Sequence, residues 1–199
     1  MTFDPRNTFR SAIHRRWLAP LALLAAGLTG LAVSAEEGAR RASPFETAEL
    51  APLAGYLGNW EIEAKWADGS PLWSRNEFTV GLGGNFLVAR TFVRDGDGEI
   101  YQRYLTYFGY DKESKKLVSH GFTNDGTITV VKPVEMAGEP GRASLTSEWS
   151  GGGPTVRQTV QLTSANHYSW KVWIDSGDGQ WQKVMDGVWT RVDGPRPSP

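Results

Sequence analysis

From Gly58 onward the chain alternates apolar and polar residues with a period of two, and turn signals interrupt it at short intervals. Trp60, Ile62, Ala64 and Trp66 alternate with Glu61, Glu63 and Lys65, the pattern of a strand with one buried and one wet face. Turns are signalled at Asp68-Gly69, Gly81 to Gly84, Asp95 to Gly98, Asn124 to Gly126, Gly138 to Gly141, Gly151 to Pro154, Asn166 and Gly177 to Gly179. Strands are expected near 59–67, 72–80, 84–94, 99–109, 116–123, 126–133, 143–149, 154–163, 167–175 and 180–192. Ten short strands joined by hairpins, with no crossover helix, predict an all-β fold, an antiparallel up-and-down β-barrel of about ten strands. Closure also removes the exposed strand edges that this sequence leaves unguarded. An immunoglobulin-like sandwich is the alternative, and its usual Cys pair is missing because the chain has no cysteine.

Ahead of the strands, Phe45, Leu50, Leu53, Ala54 and Leu57 recur at helical spacing, so a short N-terminal helix over 44–57 is expected to lie against the barrel mouth, with Ser43 or Thr47 as cap. Residues 36–44 read as a flexible arm, 45–193 as one barrel domain and 194–199, Gly-Pro-Arg-Pro-Ser-Pro, as a flexible tail.

Residues 1–35 read as a secretory signal peptide. Arg6, Arg10, Arg15 and Arg16 precede an apolar run from Trp17 to Val33, and Val33-Ser34-Ala35 places small residues three and one before a cut after Ala35. Trp17 to Ala35 is nineteen residues, close to the ~20 that a membrane span needs, so a retained anchor is the competing reading. Gly27, Thr29, Gly30 and Ser34 dilute that run and favour removal. Arg15-Arg16-Trp17-Leu18 resembles a twin-arginine export signal, but Ala19 and Pro20 follow it. The expected location is exported, periplasmic or secreted, with no membrane span after cleavage.

Four of the 21 basic and one of the 22 acidic side chains lie in residues 1–35, so the remainder carries a net charge of −4. That argues against nucleic acid as a partner. Without cysteine, thiol catalysis, iron–sulfur clusters and cysteine zinc sites are excluded. His120 and His167 stand too far apart in sequence to complete a metal set by themselves. Asp95, Asp97 and Glu99 fit a hairpin turn better than a calcium loop, and Gly81, Gly83 and Gly84 fail the dinucleotide pattern because Phe86 replaces the third glycine. No nucleophile elbow or phosphate loop occurs, so no catalytic residue, metal or cofactor is assigned.

Charges inside strands are more informative: Arg75, Glu77, Arg90, Arg103, Glu148 and Arg157 interrupt aromatic and β-branched stretches. Arg90 shares a face with Phe86, Val88 and Phe92, and Arg103 with Tyr101, Leu105 and Tyr107. If those faces turn inward, the cations need carboxylates, tyrosine hydroxyls or an anionic ligand; in the opposite phase they are surface charges. His120 shares a face with Val118 and Phe122, while Ser119 points the other way. Trp66, Trp73, Trp149, Trp170, Trp173, Trp181 and Trp189 either line a cavity or fill the barrel solid. The candidate ligand-binding set is therefore Glu77, Arg90, Arg103, Tyr107, His120 and Trp149.

Gly58-Asn59-Trp60, opening the first strand after a short helix, resembles the Gly-x-Trp motif of lipocalins and calycins. In those barrels an Arg near the end of the last strand packs over that Trp, and Arg191 occupies the matching place. With Leu53 to Trp60, Leu82 to Leu87, Gly109-Tyr110-Asp111 and Met185 to Arg191, the chain over most of 50–192 resembles an uncharacterised bacterial lipocalin-like family, domain of unknown function 1579. The resemblance implies a pocket and not a reaction. The chain also resembles nitrobindin-like haem barrels, yet 181–192 holds no His where their haem ligand would stand. Physically, a guanidinium over an indole gains about 0.5–2 kcal/mol and covers a barrel end, so Trp60 and Arg191 are expected to act in structural closure.

The expected function is an exported barrel that binds a small apolar or amphipathic molecule, with an anionic head held by Arg90 or Arg103. The alternatives are an enzyme with Glu77 or Glu148 as base and His120 or a Tyr as acid, and a filled barrel acting as a structural or interaction unit. The sequence leaves the oligomeric state open. Mass spectrometry of protein expressed with its leader in a bacterial host is expected to find Glu36 as the first residue; a chain that keeps residues 17–35 would support the anchor instead.

Overall fold

The computed structural model describes residues 43–131, 133–138, 142–150 and 154–193. The expected signal peptide, most of the arm and the tail lie outside the described residues. The strands are β1 (Gly58–Lys65), β2 (Pro71–Gly81), β3 (Phe86–Arg94), β4 (Ile100–Asp111), β5 (Lys116–Thr123), β6 (Ile128–Val131), β7 (Glu135–Ala137), β8 (Ser144–Ser150), β9 (Thr155–Ser164), β10 (His167–Asp175) and β11 (Trp181–Val192). All pairings are antiparallel between neighbours in the order β6-β5-β4-β3-β2-β1-β11-β10-β9-β8-β7. In addition β6 pairs with β8, through Val130 with Ser150 and Val131 with Trp149, and this joins the two ends of the sheet.

The expected sixth strand, 126–133, is β6, and an additional short strand, β7, follows beyond it. Pro133 falls between β6 and β7, and without an amide hydrogen it cannot continue a ladder. Both strands run along the same edge of β8, so the ring has ten strand positions although eleven strands are counted. The hairpins form where glycine and Asx residues were read. In the β2–β3 turn Gly83 and Gly84 take φ of 64° and 87°, and even Leu82 is held at 47°. At the β3–β4 turn the Asp95 carboxylate accepts the amides of Asp97 and Glu99, which binds it to its own backbone.

The expected helix is a 3₁₀ helix over Ala48–Tyr56, with Pro52 inside it. Three residues per turn bring Leu50, Leu53 and Tyr56 into one row, and all three are buried. Neither proposed cap acts through the helix start: the Thr47 hydroxyl donates to Asn85 Oδ1 and the Ser43 hydroxyl accepts from the Phe45 amide.

The core cluster contains Trp60, Ile62, Leu87, Leu117, Leu145, Leu162, Tyr168 and Trp189 together with the buried row of the helix. These residues come from strands all around the ring, so the face they share is the inner one. The core fills the end where β1 begins and β11 finishes. Trp60 Nε1 donates to the Tyr56 carbonyl at 2.7 Å, and the Tyr56 hydroxyl donates to the Ala143 carbonyl at 2.8 Å, tying helix to wall.

Arg191 closes that end as expected. Its Cζ lies 4.1 Å from the Trp60 ring, and its three nitrogens donate to the carbonyls of Ala165 (2.8 Å), Leu57 (2.5 Å) and Gly55 (2.9 Å). Gly58, at φ 113°, admits this arm, since a Cβ there would stand 2.6 Å from Arg191 Nη1.

Removing all of these contacts with Arg191→Ala is expected to lower the unfolding free energy by about 2–4 kcal/mol in urea titrations, with Arg191→Lys restoring only part because it lacks the planar fork. Burial raises the hydroxyl pKa of both Tyr56 and Tyr168 above the usual tyrosine value. Above pH ~10 the unfolded chain therefore loses these protons while the folded one keeps them, and stability falls as pH rises. Urea midpoints at about pH 9 and 11 test this, and Tyr168→Phe is expected to flatten the decline.

Candidate functional site

The inner face changes character away from the closed end. A chain of rings climbs the wall formed by β1, β11 and β10: Trp60 to Tyr168 (4.9 Å between centroids), Tyr168 to Trp189 (5.5 Å, stacked), Trp189 to Trp170 (5.8 Å) and Trp170 to Trp66 (5.9 Å). Trp60, Tyr168 and Trp189 are buried, whereas Trp170 and Trp66 keep part of their surface accessible. The barrel is thus filled at one end and open above it, and the tryptophans do both things that the sequence left as alternatives. Of the set, Trp66, Trp149, Trp170 and Trp189 stand on the inner face, while Trp73, Trp173 and Trp181 stand outside, by alternation and register.

Hydrogen-bonded polar residues flank the aromatic wall on both sides. On β2 and β3, Thr91 Oγ1 donates to Asn76 Oδ1 at 2.7 Å and Asn76 Nδ2 donates to the Tyr168 hydroxyl at 2.9 Å. On β8, β9 and β10, Trp170 Nε1 donates to Gln158 Oε1 at 3.0 Å and Gln158 Nε2 donates to Ser147 Oγ at 3.2 Å. Each amide is held at both ends, so its orientation is fixed. The Ser147 hydroxyl keeps its own proton, for which no acceptor stands among the described residues. Nor does the buried indole N–H of Trp189 have a partner among them. A site of this kind offers an aromatic surface and a few placed polar groups to a small molecule.

The inner face carries few charges. Among the described residues Arg191 stands on it at the closed end, and near the open rim Arg103 packs against Tyr101 and Tyr104, which register turns inward. Trp60 and Ile62 set the phase of β1, register carries it strand by strand, and Glu77, Arg90, Glu148 and Arg157 fall on the outside. Of the six expected ligand residues, Trp149 lies on the inner face and Arg103 packs against inward tyrosines at the open rim. Glu77 stands opposite Arg90, and Tyr107 opposite His120, in a band on the outer wall of β2 to β5. Arg103 is the unpaired residue of a bulge in β4, with its Cζ 5.4 Å from the Tyr104 ring. Arg90 therefore faces away from the barrel interior, whereas Arg103, held against the inward Tyr101 and Tyr104, stands at its open rim. Glu148 and Arg157 pair on the outer wall at 2.5 Å, and Arg157 also lies 3.9 Å from the Trp181 ring. His167 opens β10, its Nδ1 3.1 Å from Ser164 Oγ across the β9–β10 turn.

The polar inner residues Asn76, Thr91, Ser147 and Gln158 were not singled out from the sequence. Their signal is a neutral hydrogen-bonding residue at an inward position of a strand whose other inward residues are apolar, as in Leu145-Ser147-Trp149 and Val156-Gln158-Val160. A separate groove of about 970 Å³ runs outside the cup, where Glu49, Lys115, Lys116, Glu135, Glu148 and Arg157 line it with charges of both signs. Among the described residues there is no cluster suited to a metal ion and no helix long and apolar enough to cross a membrane.

No family model matches the chain, and no curated protein is similar to it. Among solved structures, Rv2717c from M. tuberculosis aligns over 73% of this chain and 98% of its own, with 14% identity and a TM-score of 0.57. The S-type phycobiliprotein lyase CPES from Guillardia theta aligns over 71% and 90%, with 10% identity and a TM-score of 0.43. EF1p2_mFAP2b bound to DFHBI aligns over 71% and 98%, with 12% identity and a TM-score of 0.37. The last two are too distant to carry an argument, and the first bears on fold alone. The chain has the fold of a calycin-like antiparallel barrel.

Proposed function

We propose that this protein is an exported barrel that binds a small, uncharged, amphipathic molecule in the open half of its interior. The observation that supports this most is the division of charge: the open half carries Asn76, Thr91, Ser147, Gln158 and a wall of rings, while Glu77, Arg90, Glu148 and Arg157 stand outside. Below the rim, where Arg103 packs against Tyr101 and Tyr104, a charged head would meet no counter-ion, and burying an unpaired charge costs several kcal/mol or more. Neutral hydroxyls and amides instead reward a ligand with hydrogen-bonding groups of its own. The export part of this reading rests on the leader motif in residues 1–35, and kinship with domain of unknown function 1579 rests on short motifs alone. The enzyme alternative loses its residues from the cup, because Glu77, Glu148 and His120 all stand on the outer wall.

Two related fluorescent probes test the reading. N-phenyl-1-naphthylamine is neutral, and 8-anilinonaphthalene-1-sulfonate is the same ring system with an anionic group. The neutral probe is expected to bind saturably at one site with at least about tenfold higher affinity, a difference of ~1.4 kcal/mol, and Trp170→Ala is expected to weaken it. Equal affinity for the anion, or no uptake of either probe, would contradict the proposal.

A further inference from the structure

The wall facing the rings contains a gap. Within the ten-position ring, β5 is five strands from β11 in either direction, so its inner residues look across the cup at the aromatic wall. The inner residues of β5 are Leu117, Ser119, Gly121 and Thr123. Gly121 is not required by its backbone, since its φ lies outside the left-handed region. A Cβ built there would stand 3.2 Å from Thr129 Oγ1 and 3.4 Å from Thr129 Cβ, closer than ordinary contact, with Thr106 Oγ1 at 3.8 Å, so the threonines of the two adjoining strands narrow the gap from its sides. Gly187, on the aromatic side, is different: Ile62 Cδ1 fills the place of its missing side chain at 2.7 Å. Glycine inside a strand weakens it, and where no turn or bulge demands it, it marks a close approach by something else.

The groups around that gap are hydroxyls without protein partners. Thr106 and Thr129 flank Gly121, and Ser119, only 7% exposed, precedes it on the same face. Among the described residues none of the three hydroxyls makes a hydrogen bond, in contrast to Thr91 and Ser147, which are tied into networks. Ser119 is more than nine-tenths buried as a residue, yet its hydroxyl is not among the fully buried unpaired atoms, so what surface it keeps is open to water or a ligand.

We propose that Gly121, with the hydroxyls of Thr106, Thr129 and Ser119, forms a subsite for a hydroxyl or carbonyl oxygen on a flat, uncharged ring whose face lies against Trp170. This rests on the binding reading above and adds its substrate class. The missing side chain gives the ring edge room to approach the β5 backbone, and the hydroxyls both donate to and accept from its oxygen. Gly121 is then the specificity-determining position of the cup.

Naphthalene and 2-naphthol differ by one hydroxyl and serve as probes in equilibrium dialysis. The unmodified protein is expected to bind 2-naphthol about tenfold more tightly than naphthalene. Thr106→Val combined with Thr129→Val is expected to erase that preference while naphthalene binds as before. Gly121→Val is expected to lower 2-naphthol affinity at least about tenfold while the protein still melts cooperatively, with Thr129 shifting to admit the new Cβ. If the double valine variant keeps the preference, or Gly121→Val binds 2-naphthol normally, the subsite is wrong although the cup stands. If the unmodified protein takes up N-phenyl-1-naphthylamine but shows no preference for 2-naphthol, the subsite likewise fails alone. If it takes up none of the three compounds, the binding reading fails and the subsite with it.

Discussion

The guanidinium of Arg191 joins the last strand to the segment that enters the first one. It donates to Gly55 and Leu57 at the end of the 3₁₀ helix and to Ala165 in the β9–β10 turn, and it covers the Trp60 ring. Those carbonyls lie where helix and turn leave backbone acceptors unused, and a planar donor fork is the side chain best shaped to meet several of them at once. With Arg191 in place, Trp60 is completely buried, its N–H held by Tyr56, and the helix becomes the floor of the barrel. The rest of the interior is built on that floor.

Once Trp60 faces inward, strand pairing leaves little choice. A shift of one residue anywhere would turn a whole set of side chains over, so the phase of β1 is handed to β2 as Asn76 opposite Trp60, and to β3 as Thr91 opposite Asn76. The same rule sends Glu77 and Arg90 to the outer wall as neighbours. The scarcity of charge in the interior is thus a consequence of register as much as of composition. Bulges in β3–β4 and β10–β11 adjust the register near the open rim, and a third, in β9–β10 between His167 and Tyr168, adjusts it beside the floor.

The two amide networks stiffen an interior that aliphatic packing alone would leave loose. Gln158 joins three strands through Trp170 and Ser147, and Asn76 joins Thr91 on a neighbouring strand to Tyr168 across the core. In surroundings of low polarity such bonds gain strength, and an amide held at both ends has one orientation. The facing wall of Thr106, Ser119 and Thr129 lacks comparable bonds among the described residues, so the cup has a tied side and an untied one.

Strand positions, hairpin turns, the barrel and the pairing of Trp60 with Arg191 were legible in the sequence, because each depends on local periodicity, on turn residues such as Asp95 and Gly84, or on a short motif. The 3₁₀ geometry was less so: Leu50 and Leu53 suit an α-helix as well, and only their packing under the barrel selects three residues per turn. The short β7 beyond Pro133 was not legible, because three residues carry too little alternation to mark a strand. What sequence could not decide was which face of each strand turns inward. Alternation defines two faces without labelling them, and in β2 to β5 both carry aromatic residues, as Phe78 and Phe108 inside and Phe86 and Tyr107 outside illustrate. Sequence by itself determined that the chain makes alternating strands and where they turn. Only the closed ring, with Trp60 packed on the floor, decided that Arg90 and His120 face out and Gln158 and Gly121 face in, because inside and outside exist only when strands distant in the chain have met.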